Sequence, residues 1–285
     1  MIIIKNKIRV KPKLFLLPAI TALLFTMSGC KKDVTQTVTT FSNLVISDEF
    51  SIDGAPAAAL WSYEIGRGPF NDGWGNNELE YYTSRPNNVK VVNGNLELTA
   101  IKESYLGSQY TSGRIITRGK FEQAYGRYEA RIKLPAGQGI WPAFWLIGAN
   151  HAIGNGPGVV WPQCGEIDIM ENRGQEPTKI QGTVHGLGYS GANAITKTYS
   201  LPNDRFDNNF HVFGIEWGPE YINFYVDDKL YNQITPAKVT GQWVFDHPFY
   251  IILNLAVGGN YVGNPNAATS FPQTMFVDYV RVYQK

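Results

Sequence analysis

The stretch GRYEARIKLP at residues 126–135 decides the fold class. Its apolar residues Tyr128, Ala130 and Ile132 alternate with charged ones, which is typical of a strand with one buried and one wet face. Similar runs occur at residues 94–101 (GNLELTAI), 221–230 (YINFYVDDKL), 249–257 (FYIILNLAV) and 276–284 (FVDYVRVYQ). Turn residues separate them, and no segment carries a helical stripe with caps. The pattern predicts an all-β sandwich or barrel.

The composition agrees with a globular β protein. Of the 285 residues, 44% are hydrophobic and only 17% are charged, which argues against a disordered chain or a coiled coil. The 25 basic and 24 acidic residues nearly cancel, so no nucleic-acid partner is expected. From about Phe41 onwards the sequence contains no linker and no detectable repeat. We therefore assign residues 43–285 to a single domain.

The N-terminal segment has the composition of an export signal. Residues 1–13 carry five basic and no acidic side chains, and the apolar residues 14–27 are too few for a membrane span. The run ends at Cys30 before a polar, Thr-rich stretch, which resembles a bacterial lipoprotein signal with Met27 where Leu is usual. We predict a signal peptide at 1–29, lipidation at Cys30 and a tether at 30–42. An ordinary cleaved signal or an anchoring helix is the alternative.

Lipidation implies export to the bacterial cell envelope, at the outer membrane or the cell surface, with the membrane contacted through the lipid. Without the signal, the chain keeps 20 basic and 24 acidic residues, a net charge of about −4. Cys164 is then the only free thiol, so we expect no disulfide and predict a packing role for it. Nothing in the sequence indicates an obligate dimer, and a monomer is expected.

The most informative stretch is WPQCGEIDIMENRG at residues 161–174, which holds three acids close together. On a strand, Glu166 and Asp168 share one face and the intervening isoleucines share the other. Strict alternation would bury Glu171 with the isoleucines, at a cost of several kcal/mol. One extra residue, a β-bulge near Met170, would return Glu171 to the acidic face. We therefore predict a bulged strand with three carboxylates in a row.

Such a row suits acid–base chemistry. Neighbouring carboxylates raise one another's proton affinity, so one can be protonated while another is ionised near neutral pH. Glycoside hydrolysis requires that combination, because a carboxylate attacks the anomeric carbon and a carboxylic acid protonates the leaving oxygen. A solvated acidic strand and a metal site are the alternatives. The absence of a His at ligand spacing to these acids argues against a catalytic metal.

The segment GEIDIMEN resembles the active-site strand of glycoside hydrolase family 16, whose bulged branch has the pattern Glu-x-Asp-x-x-Glu. Similar blocks are SDEF at 47–50, WGNNELEYYT at 74–83, GIWPAFWLIG at 139–148, GTVHG at 182–186 and LNLAVGGNY at 253–261. Together they are most similar to laminarinase-like endo-β-1,3-glucanases. The resemblance implies a β-jelly-roll sandwich of two antiparallel sheets with a concave substrate cleft. It also implies a retaining mechanism with Glu166 as nucleophile, Glu171 as general acid/base and Asp168 as the middle aspartate.

Two tryptophans are candidates for sugar platforms. Trp141 and Trp145 share one parity, and Phe144 and Leu146 share the other. If the second pair faces the core, both tryptophans face the cleft, where flat rings stack on the apolar faces of sugars. Core packing is the alternative, and the resemblance places both tryptophans beside the cleaved bond. Tyr261 stands where relatives often carry Trp, which leaves the strength of that subsite open.

The resemblance implies further substrate contacts, each with a simpler alternative. Asn76 and Asn77 match positions that hydrogen-bond sugar hydroxyls, although Asn also serves turns well. Arg114 is either a cleft donor or a member of a salt bridge. His185 is placed near the catalytic cleft, although a lone His is more often structural. Trp217 is either a platform for a distant subsite or a core residue.

Many members of the family hold a structural calcium. The matching set here is Asp278 with backbone oxygens near Glu49 and Gly94, and calcium favours oxygen ligands from separate segments. The alternative is that Asp278 simply occupies a wet strand position. No cofactor is expected for catalysis.

The predicted function is hydrolysis of internal β-1,3-glucan linkages in laminarin-like polysaccharide, by double displacement, at the end of a surface tether. The first alternative is the same chemistry on mixed-linkage β-glucan, agarose or carrageenan. The second is a glycan-binding surface lipoprotein without turnover, whose signature would be the loss of one acid.

Overall fold

The computed structural model describes residues 41–285, so the predicted signal, Cys30 and nearly all of the tether lie outside the described residues. Within this part, no helix has the length and apolarity to cross a membrane. Three short helical turns are present, at Gly73–Asn77, Gly191–Asn193 and Pro236–Lys238. The strands are β1 (Asn43–Asp48), β2 (Ser62–Tyr63), β3 (Glu80–Tyr82), β4 (Val89–Val92), β5 (Asn95–Tyr105), β6 (Ser108–Ser112), β7 (Arg114–Ile116), β8 (Gly126–Lys133), β9 (Ile140–Gly148), β10 (Glu166–Glu171), β11 (Lys179–His185), β12 (Ile195–Ser200), β13 (His211–Gly218), β14 (Tyr221–Val226), β15 (Lys229–Ile234), β16 (Phe249–Val257) and β17 (Gln273–Gln284).

The strands form two sheets. The larger has ten strands in the order β15-β14-β13-β8-β17-β5-β6-β3, with β1 beside β17 and β4 beside β5. The smaller has seven strands in the order β12-β11-β10-β9-β16-β7-β2. Some adjacent strands, such as β8 and β17, are far apart in the sequence. The chain therefore crosses over between strands, as it does in a jelly-roll sandwich. The predicted all-β fold of two antiparallel sheets is confirmed, with one parallel pair, β3 and β6, as the departure.

The core lies between the sheets and follows the alternation read from the sequence. Tyr128, Ala130 and Ile132 of β8 are fully buried, and so are Phe144 and Leu146 of β9. Full burial of a large apolar side chain contributes about 1.5–3 kcal/mol. Because alternate residues of each strand enter this core, the remaining positions of β9 and β10 must face outward from the seven-stranded sheet.

The outward surface of the seven-stranded sheet, here called the open face, also carries an apolar cluster. Ile116, Ile147, Cys164, Tyr250 and Ile252 pack there against one another. Cys164 is fully buried and forms no disulfide. Burial raises the pKa of its thiol to about 12, so the sulfur stays protonated and has the packing role that was predicted.

Candidate active site

The three acids lie on β10, and the strand is bulged. The register shifts between Asp168 and Glu171 against β11, and between Asp168 and Met170 against β9. Ile169 and Met170 both enter the core as a result, with exposures of 1% and 0%. Glu171 returns to the side of Glu166 and Asp168, and the predicted bulge is confirmed.

Each of the two glutamates accepts a hydrogen bond from an indole. Trp161 Nε1 donates to Glu166 Oε2 at 2.9 Å, and Trp141 Nε1 donates to Glu171 Oε1 at 3.0 Å. An indole N–H is a donor and never an acceptor. It therefore orients a carboxyl oxygen while leaving the other oxygen available for chemistry.

His185, on β11, lies against the same row. Its Nε2 is 3.2 Å from Asp168 Oδ2 and 3.6 Å from Glu166 Oε1. The Gly191 N–H lies 3.2 Å from Nδ1, so Nε2 is the ring nitrogen that faces the carboxylates. The predicted proximity of His185 to the acids is thus present in the structure.

The environment separates the proton affinities of the two glutamates. Burial, followed by the charge of Asp168, raises the pKa of Glu166 to about 7. The same two causes raise the pKa of Glu171 well above its usual value. Burial by itself lowers the pKa of His185, but the charges of Glu166 and Asp168 outweigh it and raise that pKa to about 9, which favours the charged ring at neutral pH. Both glutamates therefore hold a proton more tightly than an exposed carboxyl does, which is the property that a general acid needs.

Trp141 and Trp145 both lie on the open face and are partly exposed. Trp145 Nε1 donates to Asn254 Oδ1 at 2.7 Å. The ring of Trp141 packs against Tyr261, with 4.9 Å between ring centroids. The Tyr261 hydroxyl in turn donates to Gln181 on β11 at 2.7 Å. The position where relatives often carry Trp therefore still supplies an anchored aromatic wall.

Trp217 corrects a prediction, because it is a core residue and not a substrate platform. Its side chain is fully buried, and its Nε1 donates to the Phe245 carbonyl at 3.0 Å. It packs edge-on against the Phe249 ring at 5.1 Å. On β13 it has the same parity as Phe213 and Ile215, which also point between the sheets.

Arg114 belongs to a salt bridge, which was one of its two predicted roles. It is 8% exposed and pairs with the carboxylate of Glu64. Its guanidinium lies 4.3 Å from the ring centroid of Trp74 and 5.0 Å from that of Trp145. The Arg114 guanidinium therefore packs against the face of the Trp145 ring, and its burial leaves little of its surface free to contact a sugar.

Asn76 and Asn77 occupy the helical turn at Gly73–Asn77, at the edge of the open face. Asn77 has a positive φ of 58° and donates to Asn260 Oδ1 at 3.0 Å. Asn76 donates to Glu78 Oε1 at 3.3 Å. Their turn role is thus present, both side chains are exposed, and contact with sugar hydroxyls stays a prediction.

Trp161 is the site residue that sequence reasoning missed. It lies in the β9–β10 loop, is 42% exposed, and packs its ring 5.7 Å from that of His185. The feature of the sequence that could have identified Trp161 is its position five residues before Glu166, in the stretch that leads into β10. Only the path of the loop brings it over Glu166.

A polar cavity of about 220 Å³ adjoins the Glu171 end of the row. Arg173 lies 4.3 Å above the Tyr261 ring in its wall. The cavity lies beside the glutamate whose pKa is raised well above its usual value, the group that resembles the general acid/base of the family. The lining residues are Glu171, Arg173, Glu176, Lys179, Ile180, Gln181, Thr198 and Tyr261.

The sequence pattern described as Glycosyl hydrolases family 16 matches residues 76–281. The chain belongs to glycosyl hydrolase family 16. This family 16 chain is 42% identical over 249 residues to a beta-glucanase of Rhodothermus marinus, with 85% of each chain covered. The laminarinase catalytic domain of Thermotoga maritima superposes with a TM-score of 0.79 at 47% identity, covering 87% of this chain and 99% of that one. The endo-beta-1,3-glucanase of Pyrococcus furiosus gives 0.79 at 48% identity, covering 87% and 98%.

Among the described residues, one set of three acidic or histidine side chains has ligand atoms within 4.8 Å of one another, and it comprises Glu166, Asp168 and His185. Glu166 and Asp168 belong to the acid row and His185 lies against it, so the fold brings to the acids a histidine that their sequence spacing did not indicate. Family 16 catalysis uses such side chains directly and needs no catalytic cofactor.

The predicted calcium set lies on the ten-stranded sheet of the family 16 fold. β5 and β1 pair with successive parts of one edge of β17, which brings the ends near Gly94 and Glu49 towards Asp278. The Asp278 carboxylate accepts from Arg131 at 2.7 Å, and that of Glu49 pairs with Arg281 at 2.8 Å. Both carboxylates are thus paired with arginines, and the calcium site stays a prediction.

Proposed function

We propose that this family 16 enzyme is a monomeric, retaining endo-β-1,3-glucanase that acts on laminarin-like polysaccharide. The observation that carries the proposal is the bulged strand that brings Glu166 and Glu171 to one face, each held by an indole N–H and each with a pKa raised by burial. The linkage follows the relatives, which are named laminarinase or endo-beta-1,3-glucanase and are 47–48% identical to this chain.

The first chemical step uses both glutamates. Glu166 attacks the anomeric carbon and forms a bond to it, while the bond from that carbon to the glycosidic oxygen breaks. Glu171 transfers its proton to the departing oxygen. In the second step the ionised Glu171 takes a proton from water, and the water oxygen displaces Glu166 from the anomeric carbon. Two inversions leave the anomeric configuration as it was.

Asp168 and His185 set the charge balance of that cycle. The charge of Asp168 raises the pKa of both glutamates, and the charge of His185 lowers the pKa of both. His185 lies nearer to Glu166, at 3.6 Å between Nε2 and Oε1. The nearer positive charge favours the ionised form of Glu166, which is the form that a nucleophile needs.

The rate should depend on pH through the same pair. Glu166 must be ionised, so kcat/KM is expected to fall as the pH drops through about 7. Glu171 must be protonated, so kcat/KM is expected to fall again as the pH rises through its higher pKa. His185→Gln removes a positive charge that lowers the pKa of Glu166. The fall of kcat/KM on the acid side of the profile, here called the acid limb, should therefore move to higher pH. His211→Gln, which removes a His paired with Asp227 on the larger sheet, should leave the limb in place. An acid limb that His185→Gln leaves unmoved, or moves to lower pH, refutes this balance.

Reducing-sugar release from laminarin, lichenan, agarose and carrageenan, compared in one panel, tests the substrate. We expect fastest turnover on laminarin. Faster turnover on another glycan would assign the same chemistry to that glycan. Measurable binding without turnover on any of them would favour the glycan-binding alternative, against which the presence of all three acids argues.

We further propose that Cys30 carries a lipid that holds the enzyme on the cell envelope, a reading supported by the apolar run that ends there. Cys30→Ala should therefore release the protein from the membrane fraction and abolish incorporation of labelled palmitate. Cys164→Ala, which alters the other cysteine of the chain, should keep both. Retention of label or membrane attachment in Cys30→Ala would refute the anchor.

A structural calcium at Asp278 is proposed on the convergence of β1, β5 and β17. Binding to the folded state alone stabilises it by about 2.7 kcal/mol at a hundredfold excess over Kd. Calcium is therefore expected to raise Tm by about 5–10 °C, and Asp278→Asn should remove that dependence. A chelator that extracts no metal and leaves Tm unchanged disproves the site.

A further inference from the structure

A chain of hydrogen bonds runs from the open face towards β3. Trp145 Nε1 donates to Asn254 Oδ1 at 2.7 Å, and Asn254 Nδ2 donates to the Tyr82 hydroxyl at 3.1 Å. That hydroxyl donates to Glu78 Oε2 at 3.1 Å. Asn76 Nδ2 donates to the other oxygen of Glu78 at 3.3 Å. The three inner members, Tyr82, Asn254 and Glu78, are at most 5% exposed, so water competes little for these bonds.

The direction of this chain is set by its outer end. An indole N–H only donates, so Asn254 must turn its carbonyl oxygen towards Trp145. Its amide nitrogen then faces the Tyr82 oxygen, which accepts, and the hydroxyl hydrogen is left to donate onward. Glu78 Oε2 must therefore be an unprotonated acceptor.

A second buried glutamate lies beside Glu78. Glu80 is fully buried, its Oε2 accepts the Val257 N–H at 2.7 Å, and no protein donor is directed at its Oε1. A buried carboxyl oxygen without a donor is costly unless it carries a proton, and Glu78 is within hydrogen-bonding reach. Burial and the charge of Glu78 raise the pKa of Glu80 well above its usual value. Burial raises the pKa of Glu78 as well, but both of its oxygens accept hydrogen bonds, from Asn76 and Tyr82, so this arrangement leaves a shared proton to Glu80 and the charge to Glu78.

We propose that Glu78 is a positioning residue of the substrate cleft, whose negative charge fixes the orientation of the Trp145 indole through Tyr82 and Asn254. The inference rests on the proposed function, because it takes Trp145 as a surface on which a glucosyl ring stacks. Arg114 supports the face of the same indole at 5.0 Å, so the ring is held at its edge by one network and at its face by another.

Replacing the Glu78 carboxylate by an amide disturbs every hydrogen bond between Glu78 and Trp145. Glu78 offers two acceptor oxygens to donors from Asn76, Tyr82 and Glu80, whereas Gln at this position offers one and adds two donors of its own. If the Tyr82 hydroxyl turns to donate to Asn254, the Asn254 amide must rotate so that its oxygen accepts this bond. The amide nitrogen then faces the Trp145 indole N–H, and the hydrogen bond between Asn254 and Trp145 is lost.

Glu78→Gln is expected to raise KM for laminarin about tenfold while kcat changes less than about threefold, because a stacking platform binds ground state and transition state alike. Tyr82→Phe breaks the chain one step further out and should raise KM by a similar factor. The double variant should be no worse than Glu78→Gln alone, since the two residues act in series. Tyr82→Phe also carries the test if Glu78→Gln does not fold.

A matched control lies on the other sheet. Glu216 of β13 is 3% exposed and accepts from the Tyr225 hydroxyl at 2.8 Å, so Glu216→Gln removes a similar buried charge far from the open face. Its KM should equal that of the wild type. The indole N–H resonance of Trp145, assigned by its loss in Trp145→Phe, reports the hydrogen bond without substrate and should shift in Glu78→Gln and in Tyr82→Phe.

The outcomes separate the positioning role from the proposed function. An unchanged KM with an unmoved Trp145 resonance in Glu78→Gln and Tyr82→Phe would overturn the positioning role, and so would an equal KM rise in Glu216→Gln. A larger KM rise in Glu80→Gln than in Glu78→Gln would overturn the assignment of the charge to Glu78. If wild-type protein fails to hydrolyse laminarin, the proposed function fails, while the resonance still decides the positioning role.

Discussion

Glu166→Gln is expected to lower kcat on laminarin by at least about a thousandfold, because the amide cannot form the covalent bond to the anomeric carbon. Glu166 lies on the open face beside Asp168, held by the Trp161 indole, and its burial raises its pKa to about 7. An uncharged side chain of the same shape relieves both burial of charge and repulsion from Asp168. We therefore expect the Tm of this variant to equal or exceed that of the wild type.

Measuring both activity and thermal stability makes the Glu166 prediction specific. Initial rates on laminarin and a thermal melt are measured on the same preparations, with Glu216→Gln as the control for loss of a buried carboxylate elsewhere. A Glu166→Gln variant with near wild-type turnover would contradict the assignment of Glu166 as the nucleophile. A variant that is inactive because it is unfolded shows a lost thermal transition, which the melt detects.

Glu171→Ala is expected to have the second large effect, a loss of roughly a thousandfold on laminarin with a much smaller loss on a substrate whose leaving group needs no proton. Glu171 has the higher pKa of the two glutamates and adjoins the polar cavity on the departing side. On that activated substrate, azide should restore turnover, since a small anion can enter the space of the missing carboxylate and attack the glycosyl-enzyme without a general base. The product should be the β-glycosyl azide.

The configuration of the azide product distinguishes the two glutamates. Attack on a covalent intermediate at Glu166 retains the β configuration, whereas attack on the substrate itself, in Glu166→Ala, gives the α-glycosyl azide. NMR of the products from both variants reads this directly. An α-azide from Glu171→Ala would exchange the two assigned roles.

Some of the site follows from parity along single strands. Glu171 stands at the wrong parity for an acid beside buried isoleucines, and only an extra residue at the Ile169–Met170 pair resolves that conflict. The same rule holds for Trp217, which shares its parity with the buried Phe213 on β13. The resemblance made that position a candidate platform with the core as its alternative, and the strand pattern of β13 itself indicates the core.

Other features depend on contacts that no local pattern encodes. Trp161 reaches Glu166 because of the path of the loop before β10, and that path is a tertiary property. Asn254 interrupts an apolar run on the open-face parity of β16, which signals a special position but not its partner. Its partner Tyr82 lies 172 residues earlier in the chain. Long-range pairing of this kind decides which buried acids are linked to the cleft.

The most direct test of the account is to trap the covalent intermediate. A 2-fluoro β-1,3-glucooligosaccharide with an activated leaving group slows both steps and leaves the sugar on the nucleophile. Digestion and mass spectrometry should find the fluorosugar on the peptide that contains Glu166, with a mass that matches one ester bond. A label on Asp168 or Glu171, or inversion of configuration without any label, would contradict the proposed mechanism.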